Sequence, residues 1–170
     1  MLLQDMLKEV HYLSVKGSLD KQIDGIFYDS RQVTPNALFF CIEGLRFDGH
    51  QFAGEAIAKG AQAVVISKDI PLPEHVTKIY VEDTRLAMAL MSKAFFGNPV
   101  KDIPLVGVTG TNGKTTVTYL IKAILEEAGK KTGLIGTITN MIGNKKIPAE
   151  RTTPESLDLH RLFKEMKDEG

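Results

Sequence analysis

Leu105-Val106-Gly107-Val108-Thr109-Gly110-Thr111-Asn112-Gly113-Lys114-Thr115-Thr116 is the stretch on which the reading of the whole chain turns. Leu105 to Thr109 is a short apolar run of strand length, and Gly110 to Lys114 is a glycine-rich turn. From Thr115 to Ala128, apolar residues at 117, 120, 121, 124, 125 and 128 keep the spacing of an amphipathic helix. Gly129 stands as its C-cap, and Lys130-Lys131 suit the negative end of the helix dipole. Gly133 to Ile138 reads as the next strand, which would complete a βαβ unit. Glycines let such a turn fold tightly enough for several N–H groups to point at one anion, and the helix start adds a positive dipole end. Lys114 would then face the β- and γ-phosphates of a nucleotide, and the Thr115 hydroxyl would ligate Mg²⁺. The strict phosphate-loop pattern requires glycine at position 108, where this chain has Val108, with Gly107 one place too early. The loop is therefore a variant, with Gly110, Thr111, Asn112, Gly113, Lys114, Thr115 and Thr116 as the candidate nucleotide-binding residues.

Working outward toward the N-terminus, residues 2–10 place Leu3, Met6, Leu7 and Val10 at helical spacing. Ile23 to Tyr28, Leu38 to Ile42, Ala63 to Ser67 and Lys78 to Val81 read as strands, the middle two apolar enough to be buried on both faces. Gln51 to Lys59, capped by Gly60, and Thr84 to Phe96 read as helices, the latter with its turns marked by Leu86, Ala89, Leu90 and Lys93. Strands alternating with helices predict an α/β fold with a mostly parallel sheet. Gly97 to Pro104 carries one Gly and two Pro, and the domain boundary is expected there. The division is then a small α/β substrate-binding domain over 1–98 and, over 99–170, the start of a parallel-sheet phosphate-loop domain. Beyond the βαβ unit, Asn140 to Ile147 reads as a hairpin turning at Gly143-Asn144. Glu155 to Lys167 reads as a last helix, with Thr153 as N-cap and Pro154 in its first position.

Composition excludes several function classes. The 170 residues hold 21 Lys+Arg and 21 Asp+Glu, so capture of nucleic acid or an anionic membrane by bulk charge is not expected. Hydrophobic residues make up 43%, which argues against a disordered chain. The single cysteine, Cys41, permits no intrachain disulfide and reads as a buried small residue. The four histidines are scattered, so a zinc site is not expected. No apolar run approaches the roughly 20 residues of a membrane span, and Asp5 stands where a signal peptide would carry positive charge. A soluble, cytoplasmic chain is expected.

Two further motifs carry chemistry. In Tyr28-Asp29-Ser30-Arg31, the Ser30 hydroxyl at the mouth of a strand either binds uracil or phosphate without adding charge, or closes the strand as part of an Asx or Ser turn. Arg31 either pairs with Asp29 or contacts phosphate, and His50 caps or solvates the next helix. Thr152-Thr153-Pro154-Glu155 is accounted for by a helix start alone.

Gly110-Thr111-Asn112-Gly113-Lys114-Thr115-Thr116 resembles the ATP loop of the Mur ligases and the folylpolyglutamate synthetases. Those enzymes use ATP to convert a carboxylate into an acyl phosphate that an amine attacks. A domain of about 100 residues ahead of the loop argues against the folate branch, because those enzymes begin close to their ATP loop. Tyr28 to Arg31, with Gly44 and Asp48-Gly49-His50, is similar to the N-terminal domain of the Mur ligases' tripeptide-forming branch, MurE. Thr152-Thr153 resembles that branch's substrate loop and favours it over MurF, although Arg151 stands where the branch more often has Asn.

The resemblance implies an ATP-dependent amide ligase that adds the third residue to UDP-N-acetylmuramoyl-L-Ala-D-Glu in peptidoglycan synthesis. It implies ATP and Mg²⁺ as cofactors and Lys114 as a catalytic residue. Gly110 to Thr116 would bind ATP, Thr115 would hold the metal, and Ser30, Thr152 and Thr153 would contact the UDP substrate. The partners are the UDP-muramoyl-dipeptide and an amino acid, with no nucleic acid and no membrane. Since such ligases are far longer, the chain is expected to be an N-terminal fragment, inactive alone. The competing readings are a MurF-type ligase, a non-catalytic UDP-sugar or nucleotide-binding module, and a small phosphate-loop kinase or GTPase. The last is weakened by the lack of a following acidic strand-end motif. Lysine versus meso-diaminopimelate as the added residue stays open.

Overall fold

In the computed structural model, residues 1–44, 47–149 and 152–170 are described, and they form two compact units, Met1–Gly97 and Asn98–Gly170. The first unit is built on the apolar runs. Strands β1 (Ser14–Lys16), β2 (Gly25–Phe27), β3 (Ala37–Phe40), β4 (Ala61–Ile66) and β5 (Thr77–Tyr80) form one sheet in the order β1-β5-β4-β3-β2. All its pairings are parallel except that of β1 with β5. Every residue of β3 is buried, as its unbroken apolar run requires of a strand covered on both faces. Ala37, Phe39 and Cys41 join Ala53 and Ala56 of helix α2 (Ala53–Ala58), with Val64 and Ile66 of β4, in one core cluster. On the other side, α3 (Thr84–Phe95) packs against β4 and against the short α1 (Leu3–Met6).

Several elements differ from the sequence reading. The N-terminal helix is a single turn over Leu3–Met6, yet Leu3, Met6, Leu7 and Val10 are all buried. The helix expected from Gln51 opens as a 3-10 turn over Gly49–Phe52 and is α-helical only from Ala53. At its end Gly60 has φ +106°, and a β-carbon there would sit 2.7 Å from Pro35 Cα, so both conformation and space demand glycine. Helix α3 presents Thr84, Ala87, Met88, Met91 and Ser92 to the core, and Leu86 is 57% exposed. The run Leu86 to Met91 is apolar all round the helix, so spacing alone does not select the buried face.

The second unit contains α4 (Lys114–Glu127), β6 (Gly133–Leu134), β7 (Thr139–Ile142), β8 (Lys145–Pro148) and α5 (Ser156–Asp168). The hairpin turns at Gly143-Asn144 as read from the sequence. The strand expected over Gly133 to Ile138 is only two residues long and pairs antiparallel with β7. Leu105 to Thr109 belongs to no ladder among the described residues, so the expected βαβ pairing does not form. A strand exists through its partner, and an apolar run without one stays an irregular segment. Val117, Leu120, Ile124 and Leu125 of α4 are correspondingly exposed. Helix α5 begins at Ser156 after Glu155, so Thr153 and Pro154 precede the helix and do not cap it.

Candidate functional site

The glycine-rich turn ends where α4 begins. Gly113 is the N-cap residue with φ +80°, a left-handed conformation that lets the chain turn sharply into the helix. The first bond of the helical ladder runs from Val117 N–H to Gly113 O, 2.9 Å. The amides of Lys114, Thr115 and Thr116 therefore lie ahead of that ladder, in the position from which helix N-termini hold anions. No acidic residue occupies the first turn of α4, so nothing there opposes an incoming phosphate. The Lys114 ammonium folds back over the turn, donating to Gly110 O at 2.5 Å and to Thr111 O at 3.5 Å. Thr118 Oγ1 donates to Thr115 O at 2.8 Å and braces the first helical turn.

Lys114 and Thr115 line a cleft of about 380 Å³ whose walls also include Thr109, Thr139, Thr152 and Thr153. The structure thus brings together four of the sequence-derived candidates. Gly110 to Gly113 and Thr116 are exposed. Among the described residues the lining is hydroxyl-rich, with one ammonium and no carboxylate. For Mg²⁺, which takes six oxygens, Thr115 would supply one, so the described donor set fits a metal that takes its other ligands from phosphates and water. Arg151, the departure from the family pattern, lies outside the described residues.

Lys122, on α4, was not singled out from the sequence, and it is the buried residue of that helix at 8% exposure. Its ammonium bonds Glu126 and donates to Thr132 Oγ1 at 3.1 Å and Gly143 O at 3.2 Å, fastening α4 to the hairpin turn. The Lys-Glu pair four residues apart was the available signal.

Ser30 lies in the first unit, in a 3-10 turn Ser30–Gln32, and is 5% exposed. Its hydroxyl donates to Glu55 Oε2 at 2.8 Å. Lys59 donates to Glu55 Oε1 at 2.8 Å and to Ser30 O at 3.1 Å. Hydrogen bonds from Lys59 and then Ser30 hold the Glu55 carboxyl below its ordinary value. Asp29 caps the turn by accepting from Arg31 N–H at 3.0 Å, and the Arg31 guanidinium donates to the same carboxylate, with Nη2 to Oδ2 at 2.7 Å. Of the two options open for Arg31, the pair with Asp29 is formed.

His50 neither caps nor solvates a helix. It is buried, with Nδ1 2.6 Å from Asp48 Oδ1 and Nε2 accepting from Ser67 N–H at 3.1 Å. That acceptor role leaves the ring proton on Nδ1. Glu43, Asp48 and His50 form a compact group, but the Lys68 ammonium already lies against both carboxylates, 2.9 Å from Glu43 Oε1. Cys41 is fully buried, and burial pushes its thiol up to about 12, so it is no nucleophile.

The sequence matches the Mur ligase family catalytic domain over residues 22–96 and the Mur ligase middle domain over residues 108–170. The chain belongs to the Mur ligase family. Among its relatives in this family is the UDP-N-acetylmuramoyl-L-alanyl-D-glutamate--2,6-diaminopimelate ligase of Alkaliphilus metalliredigens, 53% identical over 169 residues, covering 99% of this chain and 34% of the relative. The ligase of the same name from Clostridium perfringens is 49% identical over 170 residues, covering 100% of this chain and 35% of the relative. A solved Mur ligase structure, that of a UDP-N-acetylmuramoyl-L-alanyl-D-glutamate--2,6-diaminopimelate ligase, superposes with TM-score 0.79 at 23% identity, over 100% of this chain and 34% of that one. It shares the fold. This Mur ligase chain spans about a third of the length of the curated relatives it matches. Among its described residues, no helix is long and apolar enough to cross a membrane.

Proposed function

We propose that this chain supplies the uridine-nucleotide site and the ATP phosphate loop of a cytoplasmic, ATP-dependent ligase that joins an amino acid to UDP-N-acetylmuramoyl-L-Ala-D-Glu. The names of the relatives favour the MurE branch over MurF and diaminopimelate over lysine as the amino acid. The observation that carries this reading is the shared cleft of Lys114, Thr115, Thr152 and Thr153. ATP bound there provides the phosphoryl group that makes the substrate carboxylate an electrophile for the incoming amine. The amides at the start of α4 hold the phosphates, and Lys114 leaves Gly110 O to meet the developing charge between them. Thr115 contributes one oxygen to Mg²⁺, and Thr152 and Thr153 orient the muramoyl-peptide beside the loop. In the first unit, Ser30 meets the uridine part.

Calorimetry on the 170-residue chain tests the reading. ATP with Mg²⁺ and the UDP-muramoyl-dipeptide are each expected to bind. Lys114→Ala is expected to weaken ATP by about 1.5–3 kcal/mol, the usual worth of a hydrogen bond to a charged group, with unchanged circular dichroism. ATP affinity equal to wild type in Lys114→Ala overturns the assignment of the loop.

A further inference from the structure

The Ser30 hydroxyl has one proton to donate and two lone pairs. The proton is committed to Glu55 Oε2 at 2.8 Å, in a residue that is 95% buried. Glu55 in turn is held by Lys59, which also donates to the Ser30 carbonyl, so that with the Ser30–Glu55 bond α2 is tied to the 3-10 turn at two points. An ionised carboxylate only accepts, and the Lys59 ammonium beside it keeps Glu55 in that form. The direction of the Ser30–Glu55 bond is therefore fixed. The surroundings agree, since Asp29 is matched by Arg31 and Glu55 by Lys59, and this pairing leaves no net positive charge to draw a phosphate.

We infer that Glu55 is a positioning residue that sets Ser30 as a hydrogen-bond acceptor toward the bound uridine nucleotide, so that the ligand group seated on Ser30 is a donor and not a phosphate oxygen or a carbonyl. The inference rests on the uridine-binding reading above and narrows it. A uridine nucleotide offers two kinds of donor, the single ring N–H and the ribose hydroxyls. Glu55 acts through Ser30 and touches no ligand itself.

The test is calorimetry of UDP on the whole 170-residue chain. Ser30→Ala and Glu55→Leu are each expected to weaken UDP about two- to tenfold, the range for one net hydrogen bond. The double variant is expected to be no weaker than either single one, because both remove the same bond. Glu55→Gln is expected to stay near wild type, since its amide oxygen accepts the same proton, a rescue that a merely structural role for the charge does not give. Inorganic pyrophosphate is expected to be indifferent to Ser30→Ala. Two analogues locate the donor: 3-methyluridine diphosphate lacks the ring N–H, and 2′,3′-dideoxyuridine diphosphate lacks both hydroxyls. The penalty for one of them is expected to shrink in Ser30→Ala, a comparison that needs no Glu55 variant. UDP binding by wild type with no change in Glu55→Leu overturns the positioning role and leaves the uridine site standing. A loss of pyrophosphate affinity in Ser30→Ala overturns the acceptor assignment. No UDP binding by wild type overturns the uridine reading, and the inference falls with it.

Discussion

At the scale of single residues, the first unit is pinned by groups whose charge state the fold determines. Asp48 is the clearest. Desolvation, the largest single influence, pushes its carboxyl up, but hydrogen bonds from Lys68, the His50 amide and the His50 ring together outweigh it and hold the group well below the usual carboxylate range. A carboxyl depressed in the folded state stabilises the fold fully above its unfolded value, about 4. That contribution is lost as pH falls toward the folded-state value. Asp48→Asn keeps an oxygen for the His50 amide and removes the charge that faces Lys68. Urea titrations at about pH 7 are therefore expected to find wild type more stable than Asp48→Asn, with the gap narrowing as pH falls from about 4 to about 2.5. A gap that does not change with pH assigns the effect to the hydrogen bonds alone. The same logic explains why His50, buried beside two carboxylates, builds structure: its Nε2 is spent on Ser67 N–H and its Nδ1 on Asp48.

At the scale of elements, the contrast is between strands with partners and an apolar run without one. The amides of β3 and β4 sit in parallel ladders in the middle of the sheet, whereas among the described residues Leu105 to Thr109 joins no ladder and Leu105 and Val106 are exposed. Hydrogen exchange is expected to give slow amides over Leu38–Phe40 and Val64–Ile66 and fast ones over 105–109. Slow exchange at Val106 and Val108 would show that the segment is paired after all. This contrast also marks what the sequence reveals. The glycine-rich turn ahead of α4 is legible because its glycines answer a local demand of backbone angle at fixed spacing before an amphipathic helix. β3 and β4 are legible because nothing but double burial explains such apolar runs. The partner of Leu105 to Thr109 is not, because a ladder is a non-local fact. Nor is the Ser30 network, whose members lie 25 and 29 residues apart. The face of α3 is hidden for a different reason, since Leu86 to Met91 offers apolar side chains in every direction.

At the scale of the whole molecule, the two units differ in how far their apolar residues are covered. In Met1–Gly97 the sheet is closed over by α1, α2 and α3, and Phe39 and Phe40 are fully buried. In Asn98–Gly170 the exposed residues include Leu105, Val106, Leu120, Ile124 and Ile138, and Leu105 and Val106 line an open groove that also takes in Ile121 and Leu125 of α4. Chemistry follows the same division. The cleft that gathers Lys114, Thr115, Thr152 and Thr153 is the proposed phosphate site, and ligation asks more of it than phosphate binding. Mg²⁺ needs near-ideal octahedral oxygen ligation and is ordinarily tied to the protein through one or two carboxylates. Among the described residues, the lining of the cleft provides hydroxyls and an ammonium and no carboxylate, so Thr115 and the phosphates alone would leave a metal without the fixed ligation that stabilises transferring charge. The purified 170-residue chain, given ATP, Mg²⁺, UDP-N-acetylmuramoyl-L-Ala-D-Glu and either diaminopimelate or lysine, is therefore expected to bind nucleotide and substrate without joining the amino acid. Phosphate release and amide formation, followed together by a colorimetric assay and mass spectrometry, check this. Amide formed in step with phosphate would mean that Lys114, Thr115 and the threonine pair suffice for ligation, and the requirement for a protein carboxylate at the metal would be wrong.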